Sequence, residues 1–330
     1  MKHRRVFVAL ICLLSSAVAA PRAAAADDCL WKIFELAWPD KRSEVRGSSP
    51  DNRLIVGTVT FPESNGHGVI WTDGILSWMR SIPGEGATST VTPHGVNNSG
   101  VVVGDHRHYL GDEVYQSRAF RYQNGAYENL YTAPGESSTA IGINEAGDII
   151  GEVWKTGYPS IHPWIALWPR DNHPRRLYLN GKAVGITDDR KLVVEQDVWS
   201  SNRKVWSIDG NTGTWTALPG SNGRPVLDDN RLFTASSANN SIHEWTLDGR
   251  QVGTYEKGWA GHGRNSSGTV YGWTNNGASL WQGGARTRTE VVADQVHYGT
   301  MYGDITDDGR LIGTYRDAQQ VNHAAIWFCS

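Results

Sequence analysis

One unit recurs seven times along this chain, and that repetition limits the possible folds more than any other feature. Its clearest half reads SSPDNRLIVG (48–57), VNNSGVVVG (96–104), INEAGDIIG (143–151), ITDDRKLVV (186–194), VLDDNRLFT (226–234), RNSSGTVYG (264–272) and ITDDGRLIG (305–313). Each copy joins a short strand, an Asn- or Asp-rich turn and a second apolar strand, and successive copies lie about forty residues apart. The other half is a strand carrying one large aromatic residue: Trp71, Tyr122, Trp168, Trp206, Trp245, Trp281 or Trp327. Tight-turn pairs such as Asp73-Gly74, Asn124-Gly125 and Asp248-Gly249 follow most of these, and then a further strand. The unit is therefore a four-stranded meander. A lone meander cannot bury both faces, so neighbouring copies must stack, and radial stacking gives an all-β, seven-bladed β-propeller. Seven symmetric aromatic residues are expected to fill the space between blades rather than to hold a ligand. The Asx-rich turns lack a following bidentate Glu, so their side chains are expected to bond turn backbone and not a metal.

The two ends are unbalanced in a way that suggests closure. The seventh copy stops after HAAIWFC (323–329), one strand short, while CLWKIFEL (29–36) is a spare strand ahead of the first copy. Pairing them removes an exposed sheet edge and brings Cys29 and Cys329 onto adjoining strands. Residues 1–26 read as an export signal: Lys2, Arg4 and Arg5, then an apolar stretch ending in small residues, with cleavage near Ala20 or Ala26. A secreted location follows, with residues 27–330 as one propeller domain, no membrane attachment after signal removal, and an oxidising exterior that favours a Cys29–Cys329 disulfide. Without the signal the chain keeps 27 basic and 34 acidic residues, a net charge near −7. That balance argues against nucleic acid as a partner.

The residues also resemble those of the extracellular HAF-repeat proteins, whose unit pairs a Gly-Ile-Asn-x-x-Gly-x-Val-Val-Gly type segment with a later His-Ala-Phe-x-Trp segment. Residues 142–151 match the first half most clearly, and Arg118-Ala119-Phe120-Arg121-Tyr122 and His323-Ala324-Ala325-Ile326-Trp327 match the second in part. The likeness spans essentially all of the mature chain, with blades four and five drifted. It implies a propeller fold and export, and it transfers no activity.

Because equivalent positions form rings, a functional site is expected where a ring departs from the repeat. Six residues before the turn glycine, at the expected start of the innermost strand, stand Arg46, His94, Ile141, Val184, Arg224, His262 and Gly303, the last flanked by Tyr302 and Asp304. The polar members fall on consecutive blades across the closure and define an arc at the channel mouth. Arginines there suit a carboxylate, His94 or His262 a general base, and Tyr302 an acid. That set is similar to the one used by propeller lyases of uronic-acid polysaccharides. The competing expectation is that these side chains are buried between blades. A second candidate is the loop between the second and third strands of blade two, with Asp105, His106, Arg107, His108, Tyr109 and Tyr115, where alternation puts His106 and His108 on one face for a sugar or a metal. Tyr158 and His162 extend this set into blade three. His67, His162 and His323 recur near the start of third strands and suit a structural role.

No nucleophile elbow, phosphate loop, dinucleotide fingerprint or zinc-type cysteine spacing is present. The leading expectation is a monomeric, cofactor-free binding scaffold that takes an extracellular glycan or protein at its channel-mouth face. A polysaccharide lyase and a surface structural protein are the alternatives.

Overall fold

The structure is a computed structural model. It describes residues 31–329 except 39, 62–65, 81, 83–89, 112–113, 158–162, 171–174, 197–202, 210–211, 220–224, 237–238, 275–276, 283–284 and 290–302, and gives only the backbone of 114, 175–180, 203–209, 212–215, 259, 277, 285–289 and 329. Among these residues the secondary structure is entirely antiparallel β: seven four-stranded sheets. The first takes Arg42–Ser48, Leu54–Thr60, His67–Thr72 and Ile75–Trp78 in that order, and the second Thr90–Val96, Val102–Gly111, Val114–Gln123 and Ala126–Asn129. The next four follow as meanders over 136–180, 182–218, 226–256 and 258–289. The seventh differs: Gly303–Ile305, Leu311–Arg316 and Asn322–Cys329 are completed at the outer edge by Trp31–Glu35. Its ladder sets Trp31 opposite Cys329, Ile33 opposite Trp327 and Glu35 opposite Ala325. Cys29 and residues 1–26, the expected export signal, lie outside the described residues.

Hydrophobic side chains are buried between sheets rather than within one. Trp71 of the first sheet packs with Ile312 and Ala324 of the seventh, and Trp168 of the third with Val103 and Ala119 of the second. All six described ring aromatics are buried, and Trp71, Trp168 and Trp281 are sealed from solvent. Three also tie sheets together through the indole N–H, which donates to the carbonyl of Leu36, Tyr131 or Glu256 in the preceding sheet or its exit. The aromatic of the third strand is thus both filler and latch.

The Asx-rich turns are bonded as the sequence suggests. Asn97 Oδ1 accepts from Val101 N (3.0 Å) and Asn144 Oδ1 from Asp148 N (2.8 Å), each holding its own turn. The same side chains reach onward: Asn97 Nδ2 donates to Asn144 O (3.2 Å), Asn144 Nδ2 to Thr187 O (3.1 Å) and Asn265 Nδ2 to Thr306 O (3.3 Å). A second row runs alongside, with Asp51 N on Asn98 Oδ1, Asn98 N on Glu145 Oε1, Glu145 N on Asp188 Oδ1 and Ser266 N on Asp307 Oδ1. These side chains thus bond their own turn and reach the next one along. Among the described residues no group of three or more His, Cys, Asp or Glu side chains is placed to hold one.

Five of the seven innermost strands are bulged by an extra residue near their ends. The register slips between Val45 and Gly47, Pro93 and Gly95, Ala140 and Gly142, Ala183 and Gly185, and Gly261 and Gly263. The bulge presses the innermost strand onto the second, and this explains the glycine that ends the repeat: a Cβ on Gly104 would lie 2.1 Å from Thr92 O.

Candidate functional site

The bulged residues are Arg46, His94, Ile141, Val184 and His262, the ring singled out from sequence. A bulge re-aims its side chain, which is why this ring varies while its neighbours do not. Its position differs from the expectation. Arg46, His94 and His262 sit two residues before the ends of Arg42–Ser48, Thr90–Val96 and Gly258–Arg264, beside the first turn and not at the strand start. The strands begin earlier than the repeat suggests because their first residues, such as Arg42 to Glu44, carry no apolar alternation. In the ladders, strand starts lie beside the connection between strands two and three, as Thr90 opposite Arg107 illustrates. The polar ring and the second-to-third-strand loops therefore occupy opposite ends of the sheets, not one face.

The fifth sheet turns from Asp228 to Arg231 through two residues, with Asp229 in the left-handed region (φ 52°), and its ladder shows no register slip. Arg224 and Tyr302 themselves lie outside the described residues, as do Tyr158 and His162.

The remaining members of the arc have separate partners. Arg46 Nη2 donates to Glu44 Oε2 (2.6 Å), and Glu44 also accepts from Arg42 (2.7 Å) and from Asn322 of the seventh sheet (2.7 Å). Burial pushes the Glu44 carboxyl up, but Arg42, Asn322 and Arg46 together hold it below its ordinary value. His94 Nε2 lies 2.8 Å from Asp105 Oδ1, and Asp105 also accepts from Thr139 of the third sheet (2.9 Å) and Ser117 (3.3 Å). Burial would likewise raise Asp105; the His94 bond and charge, then Thr139, lower it. His262 is buried against Tyr271 (ring centroids 5.6 Å), its Nε2 has no hydrogen-bond partner, and burial lowers its pKa to about 4. It packs between the sixth and seventh sheets, where no substrate reaches a base.

Asp304 joins a different set. Its Oδ2 accepts from Ser48 Oγ (2.6 Å), and its Oδ1 and Asp228 Oδ2 lie 2.8 and 3.4 Å from where a Cβ on Gly263 would stand. Asp228 accepts from Arg264 N (2.6 Å). Burial first, and then the charge of Asp304, push the Asp228 carboxyl up to about 7.

The rim formed by the second-to-third-strand connections holds several of the exposed aromatic residues, whereas the exposed Phe34 lies beside Gly74 in a third-to-fourth-strand turn. In the second sheet the two strands flanking this connection run ten residues each, against five to seven for the second strand of every other sheet. The lengthened hairpin carries Tyr109, Leu110 and Tyr115, all exposed, with the tyrosine rings 5.2 Å apart. His106 and His108 do not meet as a pair: His106 is sealed, with Nε2 3.1 Å from Asn129 Oδ1, while His108 is half-buried farther out. Asp105 lies inward, on His94. Of this candidate set Arg107, Tyr109 and Tyr115 are exposed and His108 is half-buried, whereas Asp105 and His106 are buried.

A second aromatic group on the same rim escaped the sequence reading. Trp38, in the connection leaving Trp31–Glu35, stacks on Trp78 at the end of the first sheet's outer strand (5.8 Å, 18° between planes). Phe61 and His67, which flank the second-to-third-strand connection, pack on Trp78 at 5.7 and 6.0 Å. Trp38 stays 50% and Trp78 41% exposed. Half of one indole is about 100 Å² of apolar surface, costing on the order of 2–3 kcal/mol if nothing covers it. Trp38 stands at no repeat position, and its only sequence signal is an aromatic residue in a connection. His323, by contrast, is buried on Tyr315 and bonded to Asp317 Oδ2 (3.0 Å).

No protein-family model matches this chain, and no curated protein does. Solved structures do. A streptogramin B lyase aligns over 93% of this chain and 100% of its own with a TM-score of 0.58 at 15% identity. The β-propeller domain of the Trilobed protease from Pyrococcus furiosus aligns over 88% and 97% (TM-score 0.56, 10% identity). The fold is a β-propeller. A gluconolactonase from Xanthomonas campestris aligns over 94% and 92% (TM-score 0.50, 12% identity). Identities this low carry the propeller's architecture and none of these proteins' reactions.

Proposed function

We propose that the chain is an exported seven-bladed propeller of the HAF-repeat type that binds an extracellular glycan or protein through the rim bearing the second-to-third-strand connections. In this reading residues 1–26 are the signal, residues 27–330 form one monomeric domain, and Trp31–Glu35 closes the ring with a Cys29–Cys329 bridge at the seam. The observation that carries it is the concentration of exposed Trp38, Trp78, Tyr109, Leu110 and Tyr115 on that one rim. Exposed aromatics in proximity mark recognition surfaces because they offer large, rigid contact area at small entropic cost. The lyase alternative keeps His94 on Asp105, beside the strand of Arg46, but loses His262 to burial. The deciding experiment retains the mature protein on a glycan array and on extracellular protein fractions, beside a variant with Tyr109→Ser and Tyr115→Ser. Retention that the double variant loses supports the reading; a new C=C absorbance from uronic-acid polysaccharides, abolished by His94→Ala, would replace it with the lyase.

A further inference from the structure

The stack of Trp38 on Trp78 has a one-sided geometry. One face of Trp38 is covered by Trp78, and Trp78 is in turn backed by Phe61 and His67. The connection that presents Trp38 is fixed by Lys41 N donating to Trp38 O (3.0 Å), and Lys41 Nζ sits over the Phe61 ring (5.7 Å) while paired with Asp40. A half-exposed indole is therefore backed on one face, and the connection that presents it carries the Asp40–Lys41 ion pair two and three residues farther on.

Resting on the rim-binding reading, we infer that Trp38 is a stacking platform for a pyranose ring. The apolar C–H face of a hexose is about as large as one indole and meets its negative π-face favourably, while hydroxyls at the ring's edge need donors and acceptors such as Asp40 and Lys41 provide. A protein partner fits less well. Protein interfaces deplete charge at the core of the patch, and here the connection that presents the platform carries an ion pair. The supporting stack also gives two solvent-facing tryptophans a role: preorganising the platform lowers the ordering cost of a small ligand.

The test titrates the mature protein with soluble cello-, xylo-, malto- and chito-hexaose and oligogalacturonate, read by saturation-transfer NMR and tryptophan fluorescence. Transfer to the ring C–H protons of one sugar is expected, weakened at least about tenfold by Trp38→Ala, and less by Trp38→Phe, which keeps a smaller platform. Trp78→Ala is expected to weaken binding by loosening the stack, and unchanged thermal melts of the Trp38 variants would place the loss at the site. Absence of transfer from all five sugars, or transfer that Trp38→Ala leaves unchanged, overturns the platform. If a protein partner is then retained in a manner that needs Tyr109 and Tyr115, rim binding stands without the sugar. If neither sugar nor protein is retained, both readings fall.

Discussion

Asp228→Asn offers a quantitative test of how the fifth, sixth and seventh sheets meet. Asp228 faces Asp304 across Gly263, with Asp229, Glu244 and Arg264 nearby, and its carboxyl is raised from 3.8 to about 7, first by burial and then by Asp304. A folded-state pKa above the unfolded value means that the fold prefers the protonated acid. Its contribution is fully present below about pH 4 and is lost as pH rises toward 7. A shift of three units is worth at most about 4 kcal/mol, at about 1.4 kcal/mol per unit. Asp228 is only half-buried and keeps the Arg264 amide as a donor, which reduces this to about 1–2 kcal/mol at pH 8. Asparagine keeps the acceptor and removes the charge. Urea unfolding followed by tryptophan fluorescence should show the variant more stable than wild type at pH 8, by about 0.3–0.7 M in midpoint for a slope near 3 kcal/mol/M, with a smaller gain at pH 5. An equal offset at both pH values, or a less stable variant at pH 8, would refute the carboxylate contact as a source of strain.

His94→Ala should cost about 2–3 kcal/mol in denaturant unfolding by stranding the buried Asp105 carboxylate, and adding Asp105→Asn should recover part of the loss. A Cβ on Gly104 meets Thr92 O at 2.1 Å, so Gly104→Ala should lower the melting temperature by several degrees through a backbone shift rather than a lost contact. Intact mass with and without reduction before alkylation should show both mature cysteines blocked.

The sheets were legible because the repeat writes each meander twice over, as an apolar strand pair around an Asx turn and as an aromatic strand followed by a Gly turn. The spare strand at residues 31–35 was legible by subtraction. What the repeat hides is register. A bulge adds one residue without altering the pattern of apolar positions, so His94 and His262 looked equivalent although one meets Asp105 and the other lies sealed against Tyr271. Trp38 was missed for the opposite reason: it belongs to no repeat position, and a search for departures within rings passes over residues between them. Tyr109 was found because its cluster breaks the repeat, and the structure adds that the strands beneath it are lengthened.

The onward hydrogen bonds of the turns run in one direction, from Asn97 to Asn144, from Asn144 to Thr187 and from Asn265 to Thr306. During synthesis each sheet therefore lacks its neighbour's acceptor until the following forty or so residues have emerged, and the outer edge of the last sheet is supplied by the strand made first. Such a chain gains its final stability late and all at once. Long-range strand pairing delays its commitment to the folded state, a timing that local structure alone would not impose.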